Sequence, residues 1–142
     1  MLFRSRIIGK SNLLFIIFEE KGEIFGYYFN GKIIEQYETM IEAEKNSFHF
    51  NLLSKRYRNP IKFDIRNKKE GGCWLYESHL NELIQIGEMI IYKSDQKEKS
   101  YCIQTNTIFD YKSIPHALIG LKPDVFDFMF FNPKRIIVYQ MK

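Results

Sequence analysis

The fold class is decided by residues 13–29, which read LLFIIFEEKGEIFGYYF. The uninterrupted apolar run at residues 13–18, between Asn12 and Glu19, predicts a strand that is buried on both faces. A polar turn follows at residues 20–22, and residues 24–29 predict a second strand, so together they form a β-hairpin. Gly26 interrupts the aromatic residues of this second strand. A glycine in that position indicates a bulge or a close approach of a neighbouring group to the backbone.

Further strands are predicted from two-residue alternation. Residues 47–52 read SFHFNL, which places Phe48, Phe50 and Leu52 inward and leaves His49 on the surface. Asn59-Pro60 predicts a turn, and the remaining strands are expected at residues 61–65, 73–76, 89–92, 101–103 and 135–139. Without any alternation of strands and helices, this pattern predicts a mostly β (α+β) fold. The expected architecture is an antiparallel two-sheet β-sandwich with one or two flanking helices.

Two segments predict the helices. Residues 33–42 carry apolar side chains at helical spacing, with glutamates on the opposite side. Residues 78–87 predict one or two further turns, which Ser78 would cap and Gly87 would end.

Size and composition indicate one globular domain spanning residues 1–142. The apolar fraction is 45% and the aromatic fraction 16%, which suits a compact, sheet-rich core. The longest apolar run has six residues, so we expect no membrane insertion. The start MLFRSRII does not resemble a signal peptide, and two cysteines are too few for a secreted disulfide scaffold. We therefore expect a cytoplasmic or nuclear protein with reduced thiols.

The basic excess lies in one segment. Residues 51–69 contain seven Lys or Arg residues against Asp64, whereas the segments on either side each carry a net charge of −1. This predicts a footprint for nucleic-acid phosphates or for an acidic protein surface. Alternatively, these charges protect a sheet edge from pairing with other chains. The candidate phosphate contacts are Lys55, Arg56, Arg58, Arg66, Lys68 and Lys69.

No pattern in the sequence indicates catalysis, a metal or a cofactor. Gly9-Lys10-Ser11 resembles the end of a phosphate-binding loop but lacks the earlier glycine that such a loop requires. His49, His79 and His116 lack partners at metal-ligand spacing. Asp124 and Asp127 are better explained as the start of a helical turn than as an acid–base pair. We therefore expect a protein that is not an enzyme.

The two cysteines are candidates for oxidation sensitivity. Cys73 follows Gly71-Gly72 and lies close in sequence to Lys68 and Lys69, whose charges would lower the pKa of its thiol if the loop folds back. Cys102 is expected to be a buried, inert side chain.

Residues 15–28, FIIFEEKGEIFGYY, resemble the opening hairpin of TLDc domains. Residues 47–52, 91–92, 100–102, 109–111 and 134–139 resemble later family segments in the expected order, so the resemblance covers most of residues 12–141. Members of the family usually have a run of glycines before the strand at residues 88–91, where this chain has one glycine. Only eleven residues precede Asn12, which leaves no room for the family's upstream helical segment. The resemblance implies a β-sandwich and a role in the oxidative-stress response, without catalytic residues to transfer.

Three functions stay open. One is a regulator, for example of transcription, that binds DNA through the basic hairpin, as some TLDc relatives are linked to transcriptional control. Another is a protein-interaction module, such as a regulator that binds a vacuolar ATPase subunit. The third is a redox or small-molecule enzyme.

Overall fold

The computed structural model describes residues 2–35, 39–56, 58–123 and 128–142. Ten strands form two antiparallel five-stranded sheets, which confirms the predicted fold class. The elements are α1 (Leu2–Ile7), β1 (Ser11–Glu19), β2 (Ile24–Lys32), β3 (Phe48–Leu53), β4 (Ile61–Asp64), β5 (Cys73–Leu75), β6 (Glu82–Ile86), β7 (Met89–Tyr92), β8 (Ser100–Cys102), β9 (Met129–Phe131) and β10 (Pro133–Gln140).

Sheet A has the strand order β10-β1-β2-β3-β4, and sheet B has the order β5-β6-β7-β8-β9. Each sheet is built mainly as a meander, and β10 then returns to sheet A beside β1. The inner faces of the sheets pack on each other, as the edge-to-face contact of Phe25 with Phe131 shows, with ring centroids 5.1 Å apart. The predicted first hairpin is confirmed, since β1 pairs with β2.

Strand β1 is buried less symmetrically than its apolar run predicts. Leu13, Phe15 and Ile17 are fully buried in the core, whereas Leu14 and Ile16 on the opposite face are only partly covered. The outer face of sheet A is therefore apolar without being enclosed by the described residues.

The helix predicted at residues 33–42 is wrong in its described part. Residues 33–35 and 39–42 are not helical, and Ile41 instead forms an antiparallel bridge with Cys73. Residues 36–38 lie outside the described part of the chain. Apolar side chains at helical spacing arise here because an irregular segment buries Ile33 and Ile41 against the core.

The helical turns predicted at residues 78–87 are also wrong. This segment contains β6, which forms a tight hairpin with β7 through Gly87 and Glu88. Gly87 has a φ of +57°, as the first central residue of a two-residue hairpin turn requires. The one helix among the described residues, α1, lies before the first strand and ends close to Gly9, whose φ is +82°.

Candidate functional site: an apolar groove beside a basic hairpin

Strand β3 has its apolar side chains on the outside of the sandwich. His49 and Asn51 point into the core, whereas Phe48, Phe50 and Leu52 lie on the outer face. There Phe48 is partly exposed and Leu52 is 42% exposed, while Phe50 is only 6% exposed. The orientation predicted from alternation is therefore wrong. The regular spacing of the apolar residues predicts the strand, but these residues lie on its outer face.

His49 is fully buried, so its predicted place on the surface is wrong. Its Nδ1 donates to the carbonyl oxygen of Gly26 at 3.0 Å, and its Nε2 accepts from the backbone N–H of Glu88 at 3.0 Å. These two bonds require the neutral ring, and burial lowers its pKa to about 3. The imidazole thus joins the two sheets with both nitrogens satisfied.

The neighbouring inward polar groups of this segment are also satisfied. The amide of Asn51 donates to the carbonyl oxygen of Leu118 at 2.8 Å, and the hydroxyl of Ser47 accepts from the N–H of Asn30 at 2.8 Å. Burying these groups is tolerated because each has a partner. Their burial leaves the phenylalanines of β3 on the outer face.

Those outward side chains line a groove of about 310 Å³ on sheet A. Its lining is almost wholly apolar and comes from three strands and one turn: Leu14, Ile16, Phe48, Phe50, Leu52, Pro60, Ile61 and Lys62.

Gly26 lies beneath the centre of this face, between Ile16 on β1 and Phe50 on β3. A Cβ at Gly26 would lie 1.9 Å from the carbonyl oxygen of Phe15 and 2.6 Å from Cζ of Phe50. The predicted close approach is therefore confirmed. The register shift of this strand falls between Ile24 and Phe25, not at Gly26.

The basic residues are exposed on the hairpin formed by β3 and β4, but they do not form one cluster. Lys55, Arg56 and Arg58 lie on the turn before β4, and we call them the basic turn. Arg66, Lys68 and Lys69 follow β4, a strand of four residues that spans about 13 Å. The structure therefore separates the predicted phosphate contacts into two groups at opposite ends of an edge strand.

Several of these cations already have partners. Arg66 forms an ion pair with Asp110 at 3.1 Å, and Nε of Arg56 donates to the carbonyl oxygen of Gly120 at 3.3 Å. Lys62 pairs with Asp64 at 3.2 Å and lies 4.6 Å from the centre of the Phe48 ring. Within the described ranges, ion pairs are absent at Lys55, Arg58, Lys68 and Lys69.

Glu23 fixes the start of the basic turn. Its carboxylate is fully buried and accepts from the backbone N–H of Lys55 at 2.9 Å and from that of Gly120 at 2.6 Å. Such charge-assisted bonds to backbone donors hold the turn in one position. In the sequence Glu23 directly follows the polar turn at residues 20–22, and no local signal distinguishes its buried carboxylate from that of Glu20.

The lowered pKa expected for the thiol of Cys73 is wrong, whereas the sensitivity of Cys73 to oxidation stays a prediction. Both Cys73 and Cys102 are free and fully buried, and burial raises the pKa of each thiol above its ordinary value. The lysines at positions 68 and 69 do not offset this loss of hydration. The predicted burial of Cys102 is confirmed.

We expect both thiols to react with a disulfide reagent at least about 100-fold more slowly in the folded protein than in the unfolded chain, since attack requires an exposed thiolate. Reaction of the native protein and of Cys73→Ser, each with and without denaturant, measures this ratio. Rapid labelling of one thiol in the folded state, lost in Cys73→Ser, would restore Cys73 as a sensor.

The other candidate residues are not gathered into a reactive site. His79 pairs with exposed Glu77 at 3.1 Å, and His116 has a φ of +52° in a separate loop. Asp124 and Asp127 lie outside the described residues. In the part of the chain that the structure describes, no three His, Cys, Asp or Glu side chains are placed to hold a metal ion. None of the described helices has the length and apolar character needed to cross a membrane.

The sequence contained one signal for the groove that alternation alone does not provide. The side chains on both faces of β1 are apolar, which indicates that the outer face of this strand is also covered.

The chain matches no known family model, and no curated protein is detectably similar to it.

Proposed function

We propose that this domain is a non-catalytic protein-interaction module, and that the outer face of sheet A binds an amphipathic segment carrying acidic residues. The observation that carries the proposal is the reversed polarity of β3. Its histidine and asparagine are buried, while its phenylalanines and Leu52 face outward.

The energetic argument concerns the apolar groove. The groove still presents apolar surface to water, since Leu52 is 42% exposed and Leu14, Ile16, Phe48 and Ile61 are partly exposed. Covering this surface contributes about 25 cal/mol per Å². A contiguous apolar depression of this kind is typical of a binding surface. Its lining comes mainly from three strands of one sheet, β1, β3 and β4, which makes it rigid and lowers the entropy cost of binding.

The charge argument concerns the end of the groove. Leu52 and Pro60 both line the groove and flank the turn that carries Lys55, Arg56 and Arg58. An acidic side chain at one end of a bound segment would meet these cations, which orient the segment and speed its association. The resemblance to TLDc domains supports the same class of function, because some members of that family act by binding the vacuolar ATPase.

DNA binding is the second candidate, favoured by the exposure of the six basic side chains. Their separation into two groups would let them contact phosphates at both ends of the hairpin. Engagement of most of them predicts a slope of about −4 to −6 for log K against log salt. Under this function, charge reversal at either end of the hairpin should weaken binding to every DNA sequence alike.

The test is binding of a fluorescent amphipathic peptide with acidic residues at one end, compared with a scrambled peptide of the same composition. We expect saturable binding of the amphipathic peptide, reduced at least about tenfold by Leu52→Asp and by joint reversal of Lys55, Arg56 and Arg58 to glutamate. Fluorescence anisotropy measures both affinities.

The matched pair of variants is Arg56→Glu with Arg58→Glu at the basic turn and Lys68→Glu with Lys69→Glu at the far end of the hairpin, and the second of these should leave peptide binding nearly intact. Equal binding of the scrambled peptide would contradict the proposal. Duplex DNA titrated at two salt concentrations distinguishes the second candidate, since reversal at both ends would then matter.

A further inference from the structure

The outer face of sheet B carries a row of side chains that crosses all five strands. Trp74 on β5 lies opposite Gln85, which lies opposite Ile90 on β7. Ile90 in turn lies opposite Tyr101, and Tyr101 opposite Phe130 on β9. All five are at least partly exposed, and three of them are aromatic. This face is therefore a flat aromatic surface, separate from the groove of sheet A.

One carboxylate, that of Glu82, lies on this face beside the tyrosines of β7 and β8. Glu82 lies directly opposite Tyr92 in the β6–β7 ladder, and the rings of Tyr92 and Tyr101 have centroids 6.4 Å apart. The hydroxyl of Tyr76 donates to Oε1 of Gln85 at 3.4 Å. Burial raises the pKa of Tyr76 to about 12, and the charge of Glu82 adds to that rise. Glu82 is thus paired with Tyr92, and its negative charge also helps to raise the pKa of Tyr101.

The aromatic face extends beyond these tyrosines. Tyr101 stacks on Phe128 with centroids 5.2 Å apart, and Trp74 stacks on Tyr76 at 5.8 Å. None of the outward positions of β5 to β9 is a lysine or arginine. Glu82 is therefore the charged side chain on the strands of this face, and the ammonium of Lys93, which follows β7, is held by the carbonyl oxygen of Ser78.

We propose that the outer face of sheet B binds an organic cation, of the class of a quaternary ammonium or methylated lysine side chain, against the rings of Tyr92 and Tyr101, with Glu82 as the counter-charge. Aromatic faces carry negative electrostatic potential and attract weakly hydrated cations. A carboxylate beside the rings adds an attraction for a cation and none for a neutral ligand of the same shape. Bases of a nucleic acid could also stack here, but their phosphates would be repelled by Glu82.

The probe is Nα-acetyl-trimethyllysine amide, compared with its neutral isostere in which a carbon replaces the quaternary nitrogen. Trp74 is the only tryptophan of the chain, so its fluorescence reports occupancy of this face. We expect saturable binding in the millimolar range, at least about fivefold weaker for the neutral isostere. This comparison needs no variant and so does not depend on the folding of a mutant.

Variants then locate the site. Glu82→Gln keeps the shape of the side chain and should weaken the cation about fivefold while leaving the isostere unaffected, and Tyr101→Leu should weaken both. Tyr139→Leu is the control, because Tyr139 is 53% exposed on β10 of the other sheet, and it should change nothing. Equal affinity for cation and isostere, an unchanged Glu82→Gln, or no saturable binding would each overturn the proposal.

Discussion

Gly26→Val is expected to destabilise the domain by about 4 kcal/mol, although valine has the higher strand propensity. The new Cβ would lie 1.9 Å from the carbonyl oxygen of Phe15, an atom held in the pairing of β1 with β2. A backbone atom in the middle of a sheet cannot yield as a flexible side chain can. The strands must separate locally, and the Phe50 ring, 2.6 Å from the same position, must leave its place over the glycine.

Denaturant melts of the wild type, Gly26→Val and Leu53→Val measure this effect. Leu53 is 55% exposed on β3, so its shortening by one methylene should change the free energy of unfolding by less than about 0.5 kcal/mol. Gly26→Ala should share the direction of the valine change, because the first added carbon already meets the carbonyl oxygen. Unchanged midpoints for both glycine variants would show that β1 and β2 do not approach each other as described.

The free energy of unfolding is expected to fall by about 2 kcal/mol as the pH rises from 6.5 to 8, and Glu88→Gln should abolish this fall. Glu88 is almost fully buried beside the β6–β7 turn, and burial raises its pKa to about 8. Its carboxyl group accepts from the N–H and hydroxyl of Thr105 at 2.7 and 3.0 Å, which offsets only part of the cost of burial. The folded protein therefore keeps a proton that the unfolded chain has released, so raising the pH favours unfolding.

His49 acts in the opposite direction at lower pH. The unfolded chain takes up a proton on this histidine near pH 6.5, whereas the buried ring, whose pKa is about 3, does not. Lowering the pH below 6.5 thus favours unfolding through His49 and folding through Glu88. Between about pH 4.5 and 6.5 these two contributions nearly cancel in the wild type.

Glu88→Gln separates the two groups, since glutamine can keep both contacts with Thr105 but cannot titrate. Its stability should be nearly level from pH 8 to 6.5 and should then fall by about 2 kcal/mol towards pH 4.5, as His49 acts unopposed. Urea melts at half-unit pH intervals give both curves. Their difference isolates Glu88, because all other titrating groups are common to the two proteins. A constant difference between pH 5 and 8 would mean that Glu88 is ionised in the folded state.

The strand pattern of this fold could be predicted because β1, β2, β4 and β7 combine apolar runs or alternation with clear turn residues. Periodicity could not assign the faces of β3, since alternation gives a spacing and leaves the choice of side to tertiary partners. His49 is buried because a carbonyl oxygen from β2 and an N–H from the β6–β7 turn happen to meet its two nitrogens. Those groups are 23 and 39 positions away, and no local pattern encodes such a meeting.

The helix errors and the cysteine error have related causes. Residues 33–42 and 82–86 place apolar side chains at intervals that both a helix and an extended segment between two layers can bury. The lowered pKa expected for Cys73 depends on the lysines near it in sequence, but the bridge from Ile41 encloses the cysteine in the core. The uninterrupted apolar run in β1 is the sequence feature that indicates the apolar groove, because the outer face of this strand is only partly covered.

The pairing of β1 with β10 also sets the order in which the chain can fold during its synthesis. Leu13 pairs with Gln140, so the two partners are 127 positions apart and one strand waits while nearly the whole domain is translated. During that time β1 offers an apolar, hydrogen-bonding edge to any other nascent chain or to a chaperone. Nascent chains that pause before residue 133, and chains that end there, should therefore aggregate in the cell more readily than chains that contain β10.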